Sequence, residues 1–279
     1  MPKVAGVEHR HVDSGDLRVH VAEAGSGEPI VLLHTSFVHW YAWRHVMPGL
    51  AERYRVICPD MRGCGWTSAP ASGYEKERLA EDVLRLMDAL ELKRVRLVGH
   101  GLGGLIGFLV ALRAPERVHR YLAIGIAHPW PRLDARFVAD LWRGWYQVVV
   151  STPVLGPLSL RRGRGLLDWV LAGSPDIEEY RAALEEPERA RAASLTYRTF
   201  LLHELLPLVR GRYRELRLRV PTLLLLGTRD RFFPAHTADG YQPYADDMCV
   251  ELLPGEGHYP HEARPELVIR HAMRFFESG

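Results

Sequence analysis

Short apolar runs and helical patterns alternate through most of the chain. Residues 29–33 form a continuous apolar run, which is typical of a strand buried on both faces of a sheet, and 95–98 is predicted to be another buried strand. Apolar residues recur at helical spacing over 79–90. This alternation predicts an α/β fold with a doubly wound, mostly parallel sheet. Alternating polarity over 8–13 and 17–24, around a short turn, predicts an antiparallel hairpin at the sheet edge.

The rhythm changes after the strand predicted at 120–126. Residues 129–216 contain helical pieces that are interrupted by prolines and glycines, without a strong strand pattern. This segment is predicted to be a helical cap, inserted into a core made of residues 1–128 and 217–279. A buried strand at 221–226 is where the α/β rhythm resumes.

Composition narrows the classes of function. The chain has 279 residues, of which 47% are hydrophobic and 25% charged, with a formal net charge of +2. We expect no nucleic-acid or membrane partner, no signal peptide and a cytoplasmic location. Cys58, Cys64 and Cys249 lack metal-ligand spacing and are expected to stay reduced. No metal or nucleotide motif is present, so we expect no cofactor and a small-molecule substrate. The sequence is compatible with a homodimer but does not determine the oligomeric state.

The glycine-rich segment 94–107 carries the clearest local motif. A strand, a turn rich in glycine and a helix follow one another, as in a nucleophile elbow of the pattern G-x-Nuc-x-G. Gly99 and Gly103 occupy the flanking positions, and Gly101 occupies the position of the nucleophile. Glycine has no side chain that could attack a substrate. We expect its presence to vacate about the volume of a carboxylate.

The chain resembles the α/β-hydrolase superfamily over nearly its whole length, and within it the epoxide hydrolases and haloalkane dehalogenases. The resemblance is carried by motifs at residues 40–44, 60–67, 99–103, 227–230 and 257–266. It implies that Asp230 is the catalytic acid and that His258 is the catalytic histidine. The chain order of nucleophile, acid and histidine is the one that this fold uses.

Two tyrosines of the predicted cap add a feature of epoxide hydrolases. Tyr146 precedes Pro153 by seven residues, and Tyr197 lies in a Tyr-Arg pair late in the cap. The resemblance implies that both phenols bind the epoxide oxygen above the nucleophile position.

The chain departs from the family pattern at the site itself. Gly101 stands where epoxide hydrolases have aspartate and esterases have serine. Thr35 and Phe37 replace the glycine and proline of the H-G-x-P loop, and Leu102 replaces a frequent tryptophan. The resemblance implies an oxyanion hole made of the backbone N–H groups of Ser36 and Leu102.

Aromatic and histidine side chains near these motifs are candidates for the substrate pocket. We expect an apolar pocket lined by Phe37, Trp40, His100, Trp130 and Trp145. Packing in the hydrophobic core is the alternative for the tryptophans, and a buried hydrogen bond is the alternative for His100.

Three functions follow from these residues. The first is a cofactor-free enzyme in which Asp230 orients His258 as a general base, worth ~10²–10⁴-fold in rate. Such an enzyme would act on a small apolar substrate without a covalent intermediate. Its reaction would be epoxide opening, intramolecular cyclisation or elimination. The second is an ordinary epoxide hydrolase or esterase whose nucleophile was replaced by Gly101, naturally or by engineering. The third is a non-catalytic receptor for small molecules.

Overall fold

A mixed sheet with eight strands forms the centre of the computed structural model, which describes residues 1–277. Its spatial order is β1-β2-β4-β3-β5-β6-β7-β8. The hairpin β1–β2 is antiparallel and lies at one edge, whereas β3 to β8 are mutually parallel. The predicted α/β fold and edge hairpin are therefore confirmed. The strands are β1 Glu8–Ser14, β2 Leu17–Ala24, β3 Glu28–Leu33, β4 Tyr54–Pro59, β5 Val95–His100, β6 Val118–Ile124, β7 Thr222–Gly227 and β8 Met248–Leu253.

Helices cover the sheet and fill the connection between β6 and β7. Within residues 1–277, no helix is both long enough and apolar enough to cross a lipid bilayer. The α-helices are α1 Met47–Ala51, α2 Lys76–Ala89, α3 Leu102–Arg113, α4 Ala135–Asp140, α5 Trp145–Ser151, α6 Leu155–Arg162, α7 Arg164–Val170, α8 Ile177–Leu184, α9 Pro187–Thr199, α10 Leu205–Val209, α11 Pro260–Ala263 and α12 Pro265–Glu277. A π-helical turn, Phe200–Glu204, joins α9 to α10.

The sequence also predicts a helix over 235–241, and this prediction is wrong. Only a short 3₁₀ turn, Ala235–Ala238, forms there. Asp239 is extended and Gly240 has a φ angle of +90°, a conformation that ends a helix.

Both faces of the parallel sheet are buried. Successive side chains of a strand point to opposite faces and therefore belong to different hydrophobic clusters. Leu97 of β5 belongs to a hydrophobic cluster that contains Phe108 of α3. The next residue, Val98, belongs to a second cluster that contains Phe276 of α12. Helices on each side therefore anchor the central strand that leads into the candidate site.

The helical insertion, which comprises α4 to α10, is joined to the sheet region by buried polar contacts. At one contact, Glu204 accepts hydrogen bonds from both the backbone N–H and the ammonium group of Lys76, at 2.8 and 2.9 Å. At another, Glu262 Oε2 accepts from Arg44 at 3.0 Å, Ser174 at 3.0 Å and Tyr180 at 2.8 Å. These contacts connect the insertion to α2, to the segment after β3 and to α11. The division into core and cap at residues 129 and 216 stays a prediction.

Replacing Glu262 with alanine is expected to destabilise the protein by about 3 kcal/mol, because it leaves the buried Arg44 guanidinium without its main buried carboxylate. Arg44 and Glu262 side chains are 3% and 0% exposed. Urea denaturation measures the difference in free energy of unfolding. The matched control is Glu266→Ala, whose exposed pair with Arg264 should contribute little. Equal effects of the two substitutions would contradict a structural role for the buried cluster.

Candidate active site

The turn between β5 and α3 has the geometry of a nucleophile elbow. β5 ends at His100, Gly101 has φ and ψ angles of 53° and −119°, and α3 begins at Leu102. The positive φ angle is readily adopted by glycine and is strained for residues with a side chain. Gly101 directly follows the carboxyl end of β5. Because β5 to β8 are parallel, the loops after β7 and β8 begin at the same edge of the sheet.

Those two loops bring Asp230 and His258 together as a dyad. His258 Nδ1 donates to Asp230 Oδ2 at 2.8 Å, and Asp230 Oδ1 accepts from the N–H groups of Phe232 and Phe233 at 2.8 and 3.1 Å. Burial raises the pKa of Asp230, but the His258 charge and these hydrogen bonds outweigh it, so the pKa lies below its ordinary value. An ionised Asp230 holds the proton on Nδ1 of His258 and leaves Nε2 as a proton acceptor.

The two predicted cap tyrosines lie in a buried aromatic cluster beside the dyad. The rings of Tyr146 and Tyr197 are 5.7 Å apart, in an edge-to-face arrangement. Phe232 links them to the dyad, since its ring lies 5.5 Å from Tyr146 and 4.7 Å from His258. Burial raises the pKa of both phenols, that of Tyr197 well above its ordinary value. Both are therefore neutral hydrogen-bond donors near neutral pH.

The loop after β3 closes the site from the opposite side. Phe37 has a φ angle of 68°, which is unusual for a residue with a side chain, and its ring stacks on Tyr197 at 5.2 Å. Ser36 is buried in the same loop. Leu102 donates its backbone N–H to the Thr35 hydroxyl at 3.2 Å. One of the two N–H groups expected in the oxyanion hole is therefore already bonded within the protein.

Thr35 also fills the space that the sequence predicts to be vacant above Gly101. A Cβ atom added at Gly101 would overlap Thr35 Oγ1 and lie 2.8 Å from Thr35 Cβ. The prediction of a vacated volume is wrong, because a side chain from a different loop occupies it. The same added atom would lie 3.7 Å from His258 Nε2. The hydroxyl of Thr35 therefore lies next to the place where a nucleophile would begin.

Two tryptophans predicted for the substrate pocket lie in the hydrophobic core instead. Trp40 is fully buried and packs edge-to-face on His9 at 4.7 Å. Trp130 stacks on Tyr244 at 5.3 Å, and its indole N–H donates to the carbonyl of Tyr213. Both predictions are wrong, because these side chains pack in the hydrophobic core and not at the Asp230–His258 dyad.

Trp145 and His100 lie nearer to the dyad. Trp145 is 42% exposed and packs on Trp169, whose ring lies 5.9 Å from Tyr146. His100 is fully buried, and its Nε2 donates to the backbone carbonyl of His258 at 2.8 Å. His100 therefore supports the loop that carries the His258 imidazole, as the hydrogen-bonded alternative predicts.

The sequence motifs do not predict Phe232 and Tyr259 as parts of the site. Phe232 packs against both the dyad and Tyr146, and its position directly after the acid-bearing turn was an available signal. Tyr259 follows the histidine, and its hydroxyl donates to the carbonyl of Val170 in the helical insertion. No local pattern predicts that long-range contact.

The site and the fold together define the class of protein. The sequence profile of the α/β-hydrolase fold matches residues 28–158. A fluoroacetate dehalogenase from Burkholderia sp. is 32% identical over 211 residues, which cover 69% of each chain. The chain belongs to the α/β-hydrolase family.

Relatives of nearly full length include epoxide hydrolases. A soluble epoxide hydrolase from Corynebacterium sp. (strain C12) is 29% identical over 286 residues, which cover 97% of each chain. Among solved structures, wild-type Cfl2 from Burkholderia cenocepacia has a TM-score of 0.87 and 27% identity, covering 99% of this chain and 98% of its own. The chain thus has epoxide-hydrolase-like relatives and is a member of a family of hydrolases.

Thr35 and Gly101 should be energetically coupled. Gly101→Ala is expected to lower the free energy of unfolding by about 2–4 kcal/mol, because it adds both backbone strain and overlap with Thr35. Combined with Thr35→Gly, the overlap disappears and a favourable coupling of ~1–3 kcal/mol should appear in a double-mutant cycle.

The matched control for this cycle is Gly255→Ala. Gly255 also has a positive φ angle, +79°, but an added Cβ meets no atom within 4 Å. Gly255→Ala should cost only the backbone strain, about 1–2 kcal/mol, and should not couple to Thr35→Gly. Absence of coupling between Thr35 and Gly101 would show that Thr35 does not fill that space in solution.

Proposed function

We propose that this chain is an epoxide-hydrolase-like enzyme that uses general acid–base chemistry without a covalent intermediate. Its substrate would be a small, apolar organic molecule, and its reaction the opening of an epoxide by water. Intramolecular cyclisation or elimination would use the same base to remove a proton from the substrate itself. The observation that carries the proposal is the intact Asp230–His258 dyad beside an elbow that has glycine as its central residue.

Each group has a physical role in this reaction. His258 Nε2 removes a proton from water, while Asp230 stabilises the imidazolium that forms. Tyr146 or Tyr197 donates to the epoxide oxygen as the carbon–oxygen bond breaks. The neutral state of both phenols supports this role, because a phenolate could not donate. The surrounding rings of Phe37 and Phe232 favour an apolar substrate.

The relatives support the choice of epoxides, and Gly101 supports a reaction without an ester. One relative of nearly full length is a soluble epoxide hydrolase. An ordinary member of that class would need a carboxylate at the elbow, which glycine lacks. Engagement of the Leu102 N–H by Thr35 also disfavours ester hydrolysis, since that N–H would otherwise stabilise an oxyanion.

Hydrolysis of styrene oxide, trans-stilbene oxide and 1,2-epoxyhexane tests the proposal by measuring diol formation. Wild-type protein should form diol. His258→Ala should lower kcat by ~10²–10⁴-fold, because it removes the general base. Tyr197→Phe should lower kcat by ~10²–10³-fold, because it removes a donor to the developing alkoxide.

Other outcomes would support the alternative functions. If wild-type protein is inactive and Gly101→Asp, combined with Thr35→Gly, forms diol, the chain is an ordinary epoxide hydrolase that lost its nucleophile. If the wild type binds these epoxides with an affinity that His258→Ala does not change, and no variant forms product, the proposed enzyme activity is wrong. A receptor would then be the better explanation.

A further inference from the structure

The side chain of Thr35 replaces, in space, the side chain that Gly101 lacks. A Cβ atom added at Gly101 would overlap Thr35 Oγ1, and it would lie 3.7 Å from His258 Nε2. Thr35 comes from the loop after β3, not from the elbow itself. A hydroxyl group therefore lies near the His258 imidazole, although the central residue of the elbow has no side chain.

Hydrogen bonds on both sides hold Thr35 in this position. The carbonyl of Thr35 accepts from His34 Nδ1 at 2.7 Å, and His34 Nε2 in turn accepts from the N–H of Met61 at 3.0 Å. The hydroxyl oxygen accepts from the N–H of Leu102 at 3.2 Å. One lone pair of the hydroxyl is thus used. Its hydrogen and its second lone pair remain available to another group.

We propose that Thr35 is a positioning residue. Its hydroxyl binds the water molecule that His258 Nε2 deprotonates. This inference rests on the proposed function and adds the group that locates the attacking oxygen. Asp230 keeps the proton of His258 on Nδ1, so Nε2 faces the water as an acceptor. A water that hydrogen-bonds to both side chains would have a defined direction of attack, which lowers the entropic part of the barrier.

The proposed reaction reaches the product without forming a covalent bond to Thr35. One proton of the water passes to His258 Nε2, the water oxygen bonds to an epoxide carbon, and the epoxide carbon–oxygen bond breaks. The released oxygen takes a proton from a tyrosine phenol, and the imidazolium then returns its proton to the phenolate. The net reaction converts water and an epoxide to a vicinal diol.

Direct attack by Thr35 would instead give a stable ether. Unlike an ester, an ether has no carbonyl carbon that water could attack, so the protein would be inactivated after one turnover. The contact between Thr35 and Leu102 also favours epoxides as substrates. Epoxides react with positioned water, whereas esters need the Leu102 N–H that Thr35 occupies.

Crystal structures of the wild type, Thr35→Ser and Thr35→Val test the inference without a substrate. In the wild type and in Thr35→Ser, an ordered water should lie within hydrogen-bond distance of the residue-35 hydroxyl and of His258 Nε2. In Thr35→Val, which keeps the shape but not the hydroxyl, that water should be absent. A wild-type structure without this water, or a Thr35→Val structure that retains it, would overturn the inference.

Kinetics with styrene oxide provide the second readout. Thr35→Val should lower kcat about 10²-fold with little change in KM, and Thr35→Ser should restore most of the rate. A purely structural role would not distinguish valine from serine in this way. A protein adduct on Thr35, detected by mass spectrometry, would overturn the inference in favour of a nucleophilic threonine. If the wild type forms no diol from any epoxide while the water is seen, the proposed function fails and the water site stands.

Discussion

The hydrogen bond between His258 Nδ1 and Asp230 Oδ2 is the interaction on which the site depends. It is 2.8 Å long, and Asp230 is further held by the N–H groups of Phe232 and Phe233. These contacts fix the imidazole tautomer and its direction, so that Nε2 faces the elbow. Transfer of a proton to Nε2 does not itself require a nucleophilic side chain at the elbow. Under the proposed function, the dyad would act as a base beside Gly101, and the two buried phenols would complete an acid–base site.

The elbow and the loop after β3 must be considered together. In an elbow with a nucleophile, the residue at position 35 would need to leave room for the side chain at 101. Here the side chain of Thr35 fills that room, and its hydroxyl bonds the first N–H of α3. Thr35 and Gly101, which lie in different loops, thus fit each other sterically.

Local sequence patterns predict most of the fold and part of the site. β5 and α3 are predicted correctly because their apolar runs and glycines act over a few residues, and Asp230 and His258 follow from motifs shared with a family. The contact between Thr35 and Gly101 joins residues far apart in the chain, and no local pattern encodes it. The sequence does not distinguish a pocket from the core for Trp40 and Trp130, because an aromatic residue is compatible with either. Their ring contacts with His9 and Tyr244 show that both tryptophans belong to the hydrophobic core.

A single turnover of styrene oxide in water labelled with heavy oxygen tests the central claim most directly. The enzyme is held in excess of substrate, and the oxygen content of both the product and the protein is measured by mass spectrometry. Attack by water that His258 activates places the label in the diol and none in the protein. Label in a protein carboxylate, with unlabelled diol, would demand an ester intermediate and would contradict the account.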